Sequence, residues 1–150
     1  MRVVIQRVNH ASVKINGTIK SDIKKGILLL LGITQTDGSD EIKWLCNKIL
    51  NLRIFNDDKG IMNKSVIDID GEVIIVSQFT LMASTKKGHR PSYIKAANAE
   101  IAIPLYEQFI NEFETAYGKK VGTGEFGADM QIDLQNDGPV TIIIDTESKK

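Results

Sequence analysis

Five consecutive aliphatic residues, Ile27-Leu28-Leu29-Leu30-Leu31, run into Gly32. A strand points successive side chains to opposite faces, so one that is apolar at every position has to be buried on both. The chain must therefore build a sheet whose central strand has packing partners on each side. With 150 residues, 42% of them hydrophobic, it has material for one such core. Folding at that size buries roughly 68–70% of the surface the unfolded chain exposes, without help from disulfides or a structural metal. The single cysteine, Cys46, stands in a helical pattern beside Trp44, Leu45 and Ile49 and is expected to be a small buried hydrophobe.

Other segments supply the partners. Val3–Val8 and Ser12–Ile15 have strand patterning, and Asn16-Gly17 before Thr18 is a strong hairpin signal because both residues tolerate positive φ. After Asp37-Gly38, Asp40 is placed to cap a helix whose apolar stripe is Ile42, Leu45, Cys46, Ile49 and Leu50. Leu52–Phe55 and Val73–Val76 are further strands. A second helix is predicted over Pro104–Tyr117, with Leu105, Phe109 and Phe113 on one face and Gly118 stopping it. If that helix starts earlier, Pro104 must kink it. Gln131–Leu134 and Val140–Ile144 are expected to form a final antiparallel pair joined by a turn at Asn136-Asp137-Gly138-Pro139. The fold class expected is α+β: mainly antiparallel β-sheets, barrel-like or sandwich, with two packed helices in one domain over 1–150.

Nineteen basic and nineteen acidic side chains cancel, which argues against non-specific coating of nucleic acid. The placement is uneven, however. Arg2, Arg7, Lys14, Lys20, Lys24 and Lys25 face only Asp22 within the first 25 residues, and Lys86, Lys87, Arg90 and Lys95 have no acid among them. They form a local basic face only if the fold brings them together; otherwise they are ordinary solvated side chains. The opening apolar run is too short for a signal peptide and no stretch approaches the roughly 20 residues of a membrane span. A cytoplasmic location is expected.

Three segments carry candidate chemistry. Ser77-Gln78-Phe79-Thr80-Leu81 puts hydroxyl and amide groups directly after an apolar strand, where they either build a site or satisfy local backbone. A hydroxyl nucleophile needs a base, and only His10 and His89 are present, neither in a triad context. Lys87-Gly88-His89-Arg90-Pro91-Ser92 is a constrained basic loop, suited to gripping phosphate or to introducing a helix. In Asn136-Asp137-Gly138-Pro139-Val140-Thr141 the Gly-Pro bond can adopt cis at small cost. Upstream, Gly122, Gly124 and Gly127 allow close backbone approach, and Phe126 offers a stacking face.

In order and spacing these segments resemble the D-aminoacyl-tRNA deacylase family. The opening strand from Met1, the Ser77–Leu81 and Asn136–Thr141 signatures, Gly88–Ser92 and Gly124–Met130 all fit, so the resemblance spans the chain. It implies a homodimer with its active site at the subunit interface, where cis Gly138-Pro139 of one subunit reaches into the pocket of the other and excludes an L side chain. It implies that Ser77, Gln78 and Thr80 form the catalytic wall, with Phe79 and Met130 beside the substrate. Phe126, Gly124, Arg7, Lys87 and Arg90 would hold the terminal adenosine and the tRNA. The expected partner is the 3′ acceptor end of aminoacylated tRNA, with no DNA, membrane, metal or cofactor. Because an aminoacyl ester is already activated, backbone donors and an oriented water suffice, with Thr80 as a positioning residue. Two rivals stand beside this reading: a module that binds the RNA end without hydrolysis, and a related deacylase with a trans Gly-Pro bond that accepts some L-amino acids.

Overall fold

The computed structural model describes residues 1–149. Strand β1 (Arg2–Ile15) turns through Asn16 (φ 50°) and Gly17 (φ 76°) into β2 (Thr18–Ile23). These are the two left-handed positions the hairpin signal requires. There follow β3 (Gly26–Gly32), α1 (Ser39–Leu50), the short pair β4 (Phe55–Asn56) and β5 (Met62–Lys64), and β6 (Glu72–Ser77). A 3₁₀ turn at Phe79–Met82, α2 (Ala99–Tyr117), β7 (Gly122–Thr123), β8 (Met130–Asp145) and a closing 3₁₀ turn complete the chain.

Strand β1 is the spine. One edge pairs antiparallel with β3 along Arg2–Val8 and with β2 along Ala11–Ile15, while β8 takes the whole of the other edge. Next to β3 lies β6, then β7, both parallel to their neighbours. At the far ends of this order, β2 and β7 meet: the Ser21 hydroxyl donates to the Thr123 carbonyl at 2.6 Å and accepts from its amide at 2.9 Å. The sheet thus curls into a nearly closed, barrel-like form.

The curl explains the apolar run in β3. Ile27, Leu29 and Leu31 face Val3, Ile5, Val73 and Ile75 and the two helices, through Ile42, Leu45, Ile49, Phe109 and Phe113. Leu28 faces inward with Val8, Val13, Ile74 and Val76. Burying each such side chain contributes about 1.5–3 kcal/mol.

Four expectations are corrected. Gln131–Leu134 and Val140–Ile144 are not hairpin partners but halves of one strand, because β1 is long enough to pair with both. Strand patterning at Leu52–Phe55 resolves into irregular chain that becomes extended only at Phe55–Asn56. Gly38, not Asp40, caps α1, and its amide donates to the Glu41 carboxylate at 3.0 Å. Helix α2 begins at Ala99, because the Asn98 side chain accepts from the Ile101 amide at 3.1 Å. Pro104 therefore lies inside the helix and leaves the Glu100 carbonyl without its usual donor.

Candidate active site

The first cluster forms where β6 ends. Ser77 is in register with Leu31, and the Gln78 amide donates to the Leu31 carbonyl at 2.7 Å, after which the chain enters the 3₁₀ turn. The turn is anchored by buried Met82 and leaves Phe79 54% exposed, its ring meeting Tyr93 edge-on at 5.1 Å between centroids. The Gln78 side-chain amide donates to the Thr80 hydroxyl at 2.5 Å. Among the described residues the hydroxyl's hydrogen-bonded neighbour is an amide and neither histidine is beside it: His10 is exposed on β1 opposite Gln135, and His89 is exposed in the basic loop. The amides of Phe79 and Thr80 open the turn, where a first-turn N–H has no acceptor within the helix.

Gly124, Phe126 and Met130 adjoin this cluster. Gly124 is buried, and a Cβ there would lie 2.4 Å from the Met130 sulfur and 3.7 Å from Val76, so only glycine lets the Met130 side chain cross it. Half-buried Phe126 packs on Tyr106 at 6.1 Å. Tyr106 in turn donates to the Ile75 carbonyl at 2.7 Å, and burial pushes its phenol up to about 12, so it remains a donor at neutral pH. The sequence reading passed over Tyr106, although Ala102, Tyr106, Phe109 and Phe113 fall on one helical stripe.

The second cluster lies on β8. Between the pairs Gln6–Thr141 and Val8–Asn136, Arg7 alone faces Asp137, Gly138, Pro139 and Val140, so these four bulge from the strand. The Gly138-Pro139 peptide is cis, and both residues are exposed. Asn136 closes the base of the bulge by donating to the Arg7 and Val140 carbonyls, each at 3.0 Å. Beneath it Arg7 is 7% exposed: Nη1 donates to the Ile54 carbonyl at 2.7 Å, and Nε lies 3.2 Å from the Asp137 carbonyl and 3.1 Å from its carboxylate. Arg7 was expected among the tRNA contacts. Its guanidinium is instead committed inside the chain, where it holds the bulge.

Within one chain the two clusters stand on different strands, β6 and β8, with β3 and β1 between them. Ser77, Leu31, Val3 and Ile144 form one row across four strands, which spans about 14 Å, and Arg7 lies four residues along β1 from Val3, about 13 Å.

Lys87 and Arg90 sit on a third feature, a loop whose neck is clamped by the paired amides and carbonyls of Ser84 and Ser92 at 2.8 and 2.9 Å. Both side chains are exposed. Cys46 is remote from all of this. Burial, with the Glu112 charge adding to it, pushes its thiol up to about 12. Among the described residues, no group of three or more His, Cys, Asp or Glu is placed to hold a metal ion, and no helix is long and apolar enough to cross a membrane.

Comparison with known proteins places this arrangement. The chain is 63% identical over 150 residues to a D-aminoacyl-tRNA deacylase of Bacteroides fragilis and 61% identical to one of Flavobacterium psychrophilum, each covering all of both chains. A solved structure named c-Myc DNA Unwinding Element Binding Protein is 42% identical, covers 97% of this chain and 98% of its own, and superposes with a TM-score of 0.92. Another, titled as a structural analysis of "a probable eukaryotic D-amino acid tRNA deacylase", shares the fold at TM-score 0.82 with 16% identity, covering 95% and 97% of the two chains. The family model described as D-Tyr-tRNA(Tyr) deacylase matches residues 4–145, and with both signatures in place the chain belongs to that family.

Proposed function

We propose that residues 1–150 form one cytoplasmic hydrolase domain that frees tRNA from D-amino acids, and from glycine, which has no side chain to exclude. Full-length identity to proteins named D-aminoacyl-tRNA deacylase carries this reading. Water adds to the ester carbonyl, the bond to the terminal ribose oxygen breaks, and the products are the free amino acid and a tRNA with its 3′-hydroxyl restored. The Phe79 and Thr80 amides are suited to the developing oxyanion. Thr80, held by Gln78 and without a base, positions rather than attacks. Ser77 and Met130 line the same wall, and Phe126 with Gly124 receives the adenosine.

The exposed Gly138-Pro139 bulge, parted from Ser77–Thr80 by β1 and β3, supports a two-fold dimer in which Gly138-Pro139 of one subunit completes the pocket of the other. Among the described residues β8 pairs only with β1, so its outer edge and the 65% exposed Ile143 are open to a partner. Such edges are rarely left uncovered.

A second reading is nucleic-acid binding without hydrolysis, since the 42% identical structure is named as a DNA element binding protein. Turnover separates the two. With D-tyrosyl-tRNA in large molar excess, the deacylase reading expects many equivalents of free D-tyrosine per subunit. Retention of one intact aminoacyl-tRNA per site, with no release above buffer, would establish the binding module instead.

A further inference from the structure

A cleft of about 580 Å³ opens beside the Thr80 turn. One wall is the chain leaving the turn, from Met82 to Lys87, the other is Ser92, Ile94 and Lys95, and the floor includes Arg2 and Thr34. Its walls are fixed by backbone: Ser84 pairs with Ser92, and the Ala97 amide donates to the Ile33 carbonyl at 2.9 Å. The floor is tied to the active-site turn, because Arg2 Nη1 donates to the Leu81 carbonyl at 2.7 Å. Met82, the first residue of that wall, is two positions beyond Thr80, so the two Cα atoms are at most about 7 Å apart.

The charges are arranged for an anion. Lys86, Lys87 and Lys95 line the cleft, are exposed, and form no ion pair among the described residues. Of the two acids at its edge, Asp145 is already neutralised by Arg2 at 2.7 Å. Burial alone would raise the Asp145 carboxyl, but the Glu147 amide and the Arg2 guanidinium outweigh it and hold the group below the ordinary carboxylate range. Hydroxyls of Ser84, Thr85 and Ser92 add neutral donors. At the rim Ile94 is 83% exposed, apolar surface beside cations. That combination, a cationic track with an apolar edge, suits the backbone of a single nucleic-acid strand, and the volume takes about one or two nucleotides.

We propose that this cleft seats the phosphodiester backbone of the single-stranded 3′ end of the RNA, just upstream of the nucleotide that carries the ester. This rests on the tRNA reading above and assigns the polymer contacts to Lys86, Lys87 and Lys95 in place of Arg7.

The test is fluorescence anisotropy with two labelled RNA hairpins, one ending in a single-stranded 3′ overhang and one blunt. Wild type is compared with a Lys86→Gln, Lys87→Gln, Lys95→Gln variant and with the matching Lys→Arg variant. The glutamine variant is expected to lose about tenfold or more in affinity for the overhang hairpin. Its log–log salt slope should be shallower by about 2, from three contacts at roughly 0.7 each. The arginine variant should keep both, and the blunt hairpin should not distinguish the proteins. Equal affinity of wild type and glutamine variant for the overhang, or equal loss on both hairpins, overturns the proposal. Wild-type turnover is followed in parallel. Hydrolysis without lysine-dependent overhang binding would sink the cleft and keep the deacylase, whereas lysine-dependent binding without hydrolysis would do the reverse.

Discussion

Thr80 and Arg7 show how one residue's surroundings decide its role. Thr80 has the chemistry of a nucleophile but only an amide, Gln78, beside it. Thr80→Ala should therefore keep deacylation within about tenfold of the parent, while a loss on the order of 10⁴, as when a true nucleophile is removed, would show that the hydroxyl attacks. Arg7 has the chemistry of a phosphate ligand, but the Ile54 carbonyl and Asp137 occupy it. Arg7→Gln removes both the planar fork and the charge, so the thermal midpoint should fall while the salt slope of RNA binding stays as it was; a shallower slope would return Arg7 to the RNA interface. At Gly138, φ is 121° and a Cβ would lie 2.9 Å from both Arg7 Nη2 and Val140 Cγ2. Gly138→Ala should cost about 1–3 kcal/mol in backbone strain alone, read as a lowered midpoint in thermal unfolding; an unchanged midpoint would mean that the bulge relaxes freely. The candidate residues themselves were legible, because hydroxyls, amides and Gly-Pro at strand ends are conspicuous. The burial of Arg7 was not, since it depends on Ile54, 47 positions away in the chain.

At the scale of elements, local signals succeeded where local physics decides. Asn16-Gly17 made its hairpin and Gly118 ended α2 at φ 76°, both because a left-handed position selects its residue. Asn136–Pro139 misled for an equally physical reason. Turn residues mark a place where regular pairing stops, and they do not say whether the chain reverses or bulges and resumes; the length of β1 settled that. The start of α2 was hidden by Pro104, which suits a first turn better than a second. The Asn98 cap offers a check on that start: Asn98→Ala should cost about 1 kcal/mol, lowering the midpoint by about 2–4 °C for a chain of this size. No change would place the effective start of the helix nearer Pro104.

For the whole molecule, the apolar β3 run foretold a sheet covered on both faces, and the curl that covers it was not legible, because Ser21 and Thr123 meet across 102 positions. The parallel placement of β6 and β7 is equally long-range. The same topology puts β1 and β3 between Ser77–Thr80 and the Gly138-Pro139 bulge, and the proposed shared pocket joins the two across a pair of chains. Sedimentation at micromolar concentration should give a species of twice 16.6 kDa; a monomer that is active on D-aminoacyl-tRNA would defeat the shared-site account. The central claim, a hydrolase that selects by chirality, is tested most directly by one tRNA charged separately with D-tyrosine and L-tyrosine. Initial rates of deacylation are measured on both at the same substoichiometric enzyme concentration. The account predicts repeated turnover of the D ester and no hydrolysis of the L ester above buffer. Comparable rates on the two, or no turnover of the D ester, would contradict it.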